Sequence, residues 1–590
     1  MLEAKNLSNS NLKSFDNFYA DLAQSSYHGR PVVFPYESLT KDQRKKLDSG
    51  DSILFDFSKN KKYKQTEKDP VTGAEVEVER EVIGGGKDLV HEGKVYLHPD
   101  PDLHTVEETT TLKLPNPNGG YHEETYITNS YQKGLMTDEK AGFNSYFLTD
   151  SEELGSKTTK AYMAIRGSDG MRLETWNDWV DNDANFAFNH SRIPQAKLAT
   201  VAMRERIKEI KEKAPDNVKM DVAAHSLGTM VSVQGLAGLS VEELKTIGQV
   251  VLLDGPDTRK SLKNMNVSKE VYDELNARIT YYLNPFDIVS MLNRENTIYN
   301  LENPNQEPLE KPLGTAHVVV PLHYTAFFKM DESSHDFGVM QMDTSGNYLV
   351  ASKDFHPELL KAGEKLARLE QKFLNSLRSK GYSDNVALTV MTKLTQMIVS
   401  PTMTALESSE LAMESRQFVE EYGRIISEAR KESIEWDKKA IADYKNQLSN
   451  SKLTGEKRIE LQTKLLQTAA QLASFGVEDC DMRVGKLLDD TKEKLQTTVS
   501  QATETAYSMA THLSHSEVDQ MLSDFTIDNF WDEAVYTDTK AESTNFRNSI
   551  DQLSVTLVRG ASLLNKVDSQ SAESFNALLE ETKNVWRTPW

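Results

Sequence analysis

Apolar and polar positions follow two different patterns along this chain, and the change falls near residue 353. Before it, short apolar runs suited to buried strands are separated by segments with the three-and-four spacing of amphipathic helices. The predicted strands are 160–165, 218–224, 249–253 and 278–283, with helices over 196–213, 229–238 and 269–276. Strands that alternate with helices predict a mostly parallel sheet with helices on both faces.

Residues 50–130 interrupt this pattern with polar, turn-rich sequence. Asp-Pro, Gly-Gly-Gly and Pro-Asn-Gly-Gly breaks separate stretches in which apolar and polar residues alternate. A period of two is typical of half-buried strands. We therefore expect an antiparallel β-rich insertion here, and the sequence assigns no purpose to it.

From residue 353 onward the pattern is helical and glycine is rare. The candidate helices are 356–378, 385–398, 403–448, 454–475, 482–512 and 544–583. The last one carries apolar residues such as Phe546, Ile550 and Leu553 in a coiled-coil-like seam, suited to another helix of this chain or to a partner protein. We predict two domains, 1–352 and 353–590, the second elongated and all-α.

Composition narrows the classes of function. The net charge of −22 disfavours a nucleic-acid partner, because phosphate binding needs a basic face. The single cysteine, Cys480, excludes an intramolecular disulfide and a cysteine metal cluster. No apolar run suits a secretory signal or a membrane span, so we expect neither a general secretory signal nor a transmembrane segment. Nothing in the sequence predicts a cofactor or a metal.

The stretch Ala224-His225-Ser226-Leu227-Gly228 is the most specific chemical motif. It lies between a predicted strand and a small-residue helical segment, which is the context of a nucleophile elbow. The strained turn needs small residues two positions before and after the serine. Gly228 satisfies this demand, and Ala224 adds one methyl group where glycine is usual. We predict that Ser226 is the nucleophile and that the Leu227 N–H is one oxyanion donor.

A serine nucleophile requires a histidine base and a carboxylate that orients it, and α/β-hydrolases carry them in the order serine, acid, histidine. Asp287 follows a predicted strand and is the predicted acid, ahead of Asp254, which also follows one. His335 lies in a Ser-Ser-His-Asp loop and is the predicted base. His323, after an apolar run, and His317 are the alternatives.

A second oxyanion donor is predicted upstream of the elbow. The strand over 160–165 leads into Arg166-Gly167-Ser168, where a tight glycine turn can aim the Ser168 N–H at a developing oxyanion. Arg-Gly-Ser alone is an ordinary turn. It gains meaning because the acid, base and nucleophile follow in the hydrolase order.

These motifs, with Asp178-Trp179 and Asp287-Ile288-Val289, resemble the class 3 lipases of the α/β-hydrolase superfamily. The resemblance covers roughly residues 15–350. It departs from the family at Ala224 and over 50–130. It implies a serine ester hydrolase, and it implies a lid over 169–188, whose apolar residues suit a hydrophobic core equally well.

The whole chain resembles the type VII-secreted lipase toxins of Gram-positive bacteria, with the LXG-like helical region at the C-terminus instead of the N-terminus. This resemblance implies phospholipase A activity on phospholipid at a membrane surface and secretion without a signal peptide. It also implies small helical partner proteins on residues 353–590 and an immunity lipoprotein in the producing cell. We predict that deleting residues from about 355 onward abolishes export and co-purification with these partners and spares hydrolysis.

Two other functions remain open at this point. One is an intracellular carboxylesterase that acts on small soluble esters and uses its helices to oligomerise. The other is a binding protein without enzymatic activity, in which the helical half acts and the first half is degenerate.

Overall fold

The computed structural model describes most of the chain, in two compact units. The described residues are 18–26, 39–57, 61–68, 75–82, 93–115, 121–167, 193–321, 323–326, 333–335, 340–341, 347–381, 410–449, 453–550 and single positions from 553 to 561. Those within 13–61 and 82–433 form one unit, here called the sheet unit. Those within 62–81 and 434–590 form the other, here called the helical unit.

An 11-stranded sheet is the framework of the sheet unit. Its strands are β1 (Ile53–Asp56), β4 (Lys94–Leu97), β5 (His104–Pro115), β6 (Tyr121–Lys133), β7 (Thr137–Asp138), β8 (Phe143–Thr149), β9 (Ala161–Ile165), β10 (Met220–His225), β11 (Ile247–Leu253), β12 (Ile279–Leu283) and β13 (Thr315–Val318). Two further strands, β2 (Lys61–Lys68) and β3 (Glu75–Val82), pair in a separate two-stranded sheet.

Strands β9 to β13 are parallel and lie side by side in chain order. Every residue of β9 and β10 is buried, which explains why their sequences do not alternate and are apolar except at Asp221 and His225 of β10. Ala224 pairs with Ile165 on one side and with Leu252 on the other. The carboxyl ends of these strands therefore share one edge, and the residues that follow them meet there.

Helices connect and cover these strands. They are α1 (Phe18–Ser25), α2 (Lys41–Asp48), α3 (Pro194–Lys213), α4 (Leu227–Leu236), α5 (Val241–Leu244), α6 (Arg259–Asn264), α7 (Lys269–Asn276), α8 (Ile288–Met291), α9 (Pro357–Ser379) and α10 (Glu410–Leu448). Helix α4 follows the elbow and packs closely on α3, since a Cβ at Gly235 would lie 2.9 Å from the Ala199 Cβ. The predicted α/β architecture is present, as a mixed sheet in which strands β9 to β13 are parallel.

The segment over 50–130 contains antiparallel pairs, as its alternating pattern predicts. Strand β1 pairs with β4, and β5 pairs with β6 in a long hairpin with one irregularity at Glu108 and Thr109. The hairpin is largely exposed on both faces, with Tyr121 among its most exposed apolar side chains. It therefore extends the sheet without adding to the core.

The boundary between the units differs from the predicted one at 352 and 353. Helix α9 and the residues of α10 up to 433 belong to the sheet unit. The buried Glu364 of α9 accepts hydrogen bonds from the backbone N–H groups of Asn296 at 2.7 Å and of Ile298 and Tyr299 at 3.3 Å. Helical spacing shows that a segment buries one face, but it does not show against which unit.

The helical unit contains α11 (Gly455–Met509), α12 (His515–Met521), α13 (Ile527–Phe530) and a helical stretch over 533–550. This stretch runs antiparallel to α11, because Glu533 pairs with Lys492 at 2.8 Å and Ser543 donates to Asp481 at 2.6 Å. No described helix combines the length and the apolar character that crossing a membrane requires.

The seam predicted over 544–583 is described only as far as 561. Phe546 and Leu553, two of its predicted members, are 56% and 50% exposed. Buried Ser554 instead donates to the Ala470 carbonyl of α11 at 2.9 Å. The face that packs on α11 is therefore offset from the predicted apolar seam.

Candidate active site

Ser226 occupies a sharp turn between β10 and α4. Its φ of 57° and ψ of −134° are rare for a residue with a side chain, and such strain is typical of functional sites. A Cβ at Gly228 would lie 2.6 Å from the Ile165 carbonyl oxygen, so only glycine fits there. The turn is therefore pressed against the end of β9, as a nucleophile elbow requires.

His335 joins Ser226 to Asp287 through both ring nitrogens. Its Nε2 lies 2.8 Å from the Ser226 Oγ, and its Nδ1 lies 2.8 Å from the Asp287 Oδ2. All three residues are buried. With Asp287 ionised, Nδ1 carries the proton and Nε2 accepts the hydrogen bond of the serine hydroxyl. The structure thus brings the predicted nucleophile, base and acid together in one hydrogen-bonded chain.

The carboxylate of Asp287 is held by the start of α8. Its Oδ1 accepts from the Val289 N–H at 3.0 Å, and its Oδ2 accepts from the Ser290 N–H at 2.9 Å. Asp287 is the N-cap of this short helix, where orphan backbone donors stabilise a negative charge. Its orientation towards His335 is therefore fixed by the backbone.

Asp254, the alternative acid, lies beside this group in a supporting position. Its Oδ1 accepts from the Asn284 N–H at 2.9 Å and lies 2.8 Å from the Ser290 Oγ. The same hydroxyl lies 2.5 Å from the Asp287 Oδ2, and its single proton serves one carboxylate at a time. Of the two carboxylates, Asp287 is the one described as accepting a hydrogen bond from the His335 ring.

The two alternative histidines occupy other places. His323 is buried. His317 lies on β13, where its ring stacks on that of Tyr282 at 5.4 Å and burial lowers its pKa. The nitrogen facing Ser226 belongs to His335.

His225 supports the loop that carries the predicted base. Its Nε2 lies 3.0 Å from the His335 carbonyl oxygen, and the two rings are 4.6 Å apart. A carbonyl only accepts, so this nitrogen carries the proton. His225, which precedes the predicted nucleophile, therefore anchors the backbone of the predicted base.

The predicted oxyanion donors are only partly within the described residues. Leu227 is the first residue of α4, where backbone N–H groups have no acceptor inside the helix. Ser168, the predicted second donor, lies outside the described residues, and so does the predicted lid over 169–188. Arg166 and Gly167 continue from β9 towards that position.

Among the described residues, His225, Asp254 and His335 form the one group whose possible metal-ligand atoms all lie within 4.8 Å of one another. Both nitrogens of His335 already engage Ser226 and Asp287. A metal bound there would displace one of these hydrogen bonds. The geometry therefore favours proton transfer over metal binding.

Two buried ionisable groups shape the electrostatics around Asp287. Arg294 donates to the Ser290 carbonyl at 2.7 Å and to the Gly255 carbonyl at 2.9 Å, and burial lowers its pKa despite nearby Asp257. Burial, with repulsion from Asp287 and Glu295, raises the pKa of Glu370 well above its usual range. Burial therefore favours the neutral form of the Glu370 carboxyl near the predicted acid.

Sequence reasoning missed four residues that support the hydrogen-bonded chain of Ser226, His335 and Asp287. These residues are Ser290, His225, Ser334 and Tyr422. An N-cap aspartate followed by a short helix signals the Ser290 contact. His225 and Ser334 directly precede predicted site residues, so a search of neighbours finds them. Tyr422 is 136 residues from its partner Phe286 and has no local signal.

The site is therefore defined by its own geometry. Comparisons with protein-family models, with curated proteins and with solved structures found no match.

Proposed function

We propose that the sheet unit is a serine carboxylic-ester hydrolase of the α/β-hydrolase class. One observation carries the proposal. Ser226 lies at a strained strand-to-helix turn with its Oγ 2.8 Å from the His335 Nε2, and the His335 Nδ1 lies 2.8 Å from the Oδ2 of the helix-capping Asp287. Nucleophile, base and orienting acid in this arrangement are suited to acyl transfer.

In this mechanism the Ser226 Oγ attacks the ester carbonyl while His335 Nε2 takes its proton. Asp287 stabilises the imidazolium, and the Leu227 N–H donates to the oxyanion. The intermediate collapses as His335 protonates the departing alcohol oxygen, which leaves an acyl group on Ser226. Water then attacks the acyl-enzyme, gives a proton to His335 and releases the fatty acid. Ser226 recovers its proton from His335.

We further propose that the substrate is a membrane phospholipid and that the protein is an antibacterial phospholipase A toxin. The support is the resemblance of its motifs to class 3 lipases and of its domain order to type VII-secreted lipase toxins. In this proposal the C-terminal helices bind small helical partners for export. An immunity lipoprotein protects the producing cell.

Loss of the serine hydroxyl tests the chemistry. Ser226→Ala should lower kcat/KM on a short-chain nitrophenyl ester at least about a thousandfold and abolish fluorophosphonate labelling. Ser232→Ala is the matched control, because its buried hydroxyl lies on α4, the helix that follows Ser226, and donates to the Gly228 carbonyl at 2.7 Å. The control should keep both its kcat/KM on the ester and its labelling by the fluorophosphonate. Equal activity of Ser226→Ala and wild type would refute the proposal.

A second experiment tests the substrate class. Wild type and Ser226→Ala are incubated with phosphatidylglycerol–phosphatidylcholine vesicles and with a monomeric short-chain ester, and products are identified by mass spectrometry. A lipase releases lysophospholipid and fatty acid, and works faster on vesicles than on the monomeric ester. Turnover of the soluble ester alone would instead identify an intracellular carboxylesterase.

A further inference from the structure

The loop that carries Asp287 is covered by α9. At Gly363 an added Cβ would lie 3.0 Å from the Met291 Sδ and 3.5 Å from the Pro285 Cβ. The helix thus passes within contact distance of residues on both sides of Asp287. Its Glu364 accepts the backbone hydrogen bonds of residues 296–299 described above. Helix α9 therefore packs directly against the loop that carries the predicted acid.

The part of α10 that belongs to the sheet unit, up to residue 433, lies antiparallel to α9. Lys361 pairs with Glu432 at 2.9 Å, whereas Lys380, near the other end of α9, pairs with Glu414 at 2.6 Å. Between these pairs the rings of Phe373 and Phe418 are 4.9 Å apart. This packing holds the middle of α10 in a fixed register over α9.

Tyr422, in the middle of α10, reaches the acid loop directly. Its side chain is fully buried, and its hydroxyl donates to the carbonyl oxygen of Phe286. Ser334 donates its hydroxyl to the same carbonyl at 3.0 Å. Phe286 precedes the predicted acid and Ser334 precedes the predicted base. One carbonyl oxygen thus joins α10, the acid loop and the base loop.

We propose that Tyr422 is a positioning residue for ester hydrolysis, a role that rests on the proposed function. A carbonyl oxygen has two lone pairs, and here Tyr422 and Ser334 occupy both. The hydrogen bonds fix the peptide plane between Phe286 and Asp287, and hence the direction in which the carboxylate faces His335. Small misalignments of reacting groups lower the rate by large factors, so we expect the hydrogen bond from Tyr422 to affect kcat.

A purely structural role is the alternative, and the chain offers a matched control for it. Tyr324 is buried in the same unit, and its hydroxyl donates to the Ser433 Oγ of α10 at 2.8 Å. Removing this hydroxyl also deletes a hydrogen bond between α10 and the rest of the unit. It leaves both donors on the Phe286 carbonyl in place.

The test compares Tyr422→Phe with Tyr324→Phe in the full chain. Tyr422→Phe should lower kcat on a monomeric ester about tenfold, with KM within about twofold of wild type. Because Asp287 then stabilises the imidazolium less, the acid limb of kcat/KM should move to lower pH. Tyr324→Phe should lower the melting temperature and leave kcat and the pH profile unchanged. Identical behaviour of the two variants, or an unchanged kcat in Tyr422→Phe, would overturn the proposal.

Ser334→Ala tests the same carbonyl from the other side. It should also lower kcat, and its effect should be non-additive with that of Tyr422→Phe, because both act on one oxygen. Additive effects would contradict the shared role. If Tyr422→Phe does not fold, the effect of Ser334→Ala on kcat decides whether the Phe286 carbonyl positions the acid loop.

The proton between His335 and Asp287 gives a readout that does not need turnover. Its downfield NMR signal should shift or broaden in Tyr422→Phe and persist unchanged in Tyr324→Phe. Failure of ester hydrolysis in wild type would refute the proposed function, whereas an unchanged proton signal in Tyr422→Phe would refute the positioning role.

Discussion

Helices α9 and α11 share the same three-and-four spacing of apolar residues, but they differ in how much of their length is buried. The buried residues of α9 run along nearly its whole length, from Glu358 to Leu377. In the 55-residue α11 they begin at Leu461 and stop at Glu478, so that its last 31 residues, 479–509, contain none. One helix is part of a core, whereas much of the other is surface.

The charged residues of the two helices show the same difference. In α9, Glu364 and Glu370 are fully buried, the first among backbone donors and the second beside Asp287 and Glu295. In α11, Glu478 is buried as well, whereas Glu460 is half-exposed and pairs with lysines one turn away. Amphipathic spacing therefore shows that a helix has a partner, while the hydrogen bonds of a buried charge such as Glu364 show where that partner lies.

The largest expected effect comes from where the chain is cut. A chain ending at 352 lacks α9 and α10, which exposes the acid loop, and it should lose at least about a hundredfold in ester hydrolysis. A chain ending at 449 keeps both helices and should retain near-wild-type kcat. Both are measured on a monomeric ester, with circular dichroism as the check of folding. This reverses the expectation that residues from 355 onward are dispensable for hydrolysis.

The opposite ranking of these chains would break the comparison. If the chain ending at 352 were folded and fully active, α9 and α10 would be peripheral, and the role assigned to Tyr422 would fall with them.

The next effect concerns the buried carboxylate that accepts three backbone hydrogen bonds. Glu364→Ala should lower the free energy of unfolding of the sheet unit by about 3 kcal/mol, because buried N–H groups lose their acceptor. Glu460→Ala on α11 is the control, and it should change the free energy of unfolding of the helical unit by about 0.5 kcal/mol or less. Urea unfolding followed by fluorescence measures both. Equal effects would mean that α9 is no better integrated than α11.

A smaller effect is a dependence of stability on pH. The raised pKa of Glu370 means that the folded state keeps a proton that the unfolded chain loses above about pH 4.3. Stability from this group therefore falls as pH rises above that value. Glu370→Gln should be more stable than wild type at about pH 8, with a smaller gain at about pH 5.

Chemical denaturation across this pH range measures the slope. Glu435→Gln, an exposed position on α10, should leave the slope unchanged. A wild-type stability that rose over this interval and rose equally in Glu370→Gln would show that the carboxyl is ionised in the fold.

The smallest effect is expected on the exposed half of α11. Leu487 is 68% exposed and Met509 is 76% exposed. Replacing both with serine should change the free energy of unfolding by about 0.5 kcal/mol or less and leave ester hydrolysis intact. A loss of stability beyond that, seen by calorimetry, would show that this surface is covered within the chain.

Most of the candidate site was predictable because its parts are locally encoded. The elbow depends on steric limits at Ser226 and Gly228, which residue type alone expresses. The chain order of serine, acid and base limits the acid to Asp287 or Asp254 and the base to one of three histidines, His317, His323 or His335. The contact between Tyr422 and Phe286 was not predictable, because packing brings together residues 136 positions apart and neither has a distinctive neighbour.

The sequence by itself determined the parallel strands, the strained serine turn and the helical character beyond residue 353. Each of these depends on the spacing of apolar residues or on backbone sterics within a few positions. Only the tertiary structure decided that α9 and the first part of α10 belong with the sheet, that Asp287 and not Asp254 faces His335, and that the apolar seam at Phe546 is exposed. Those outcomes depend on which surfaces bury each other, and local periodicity carries no information about the partner.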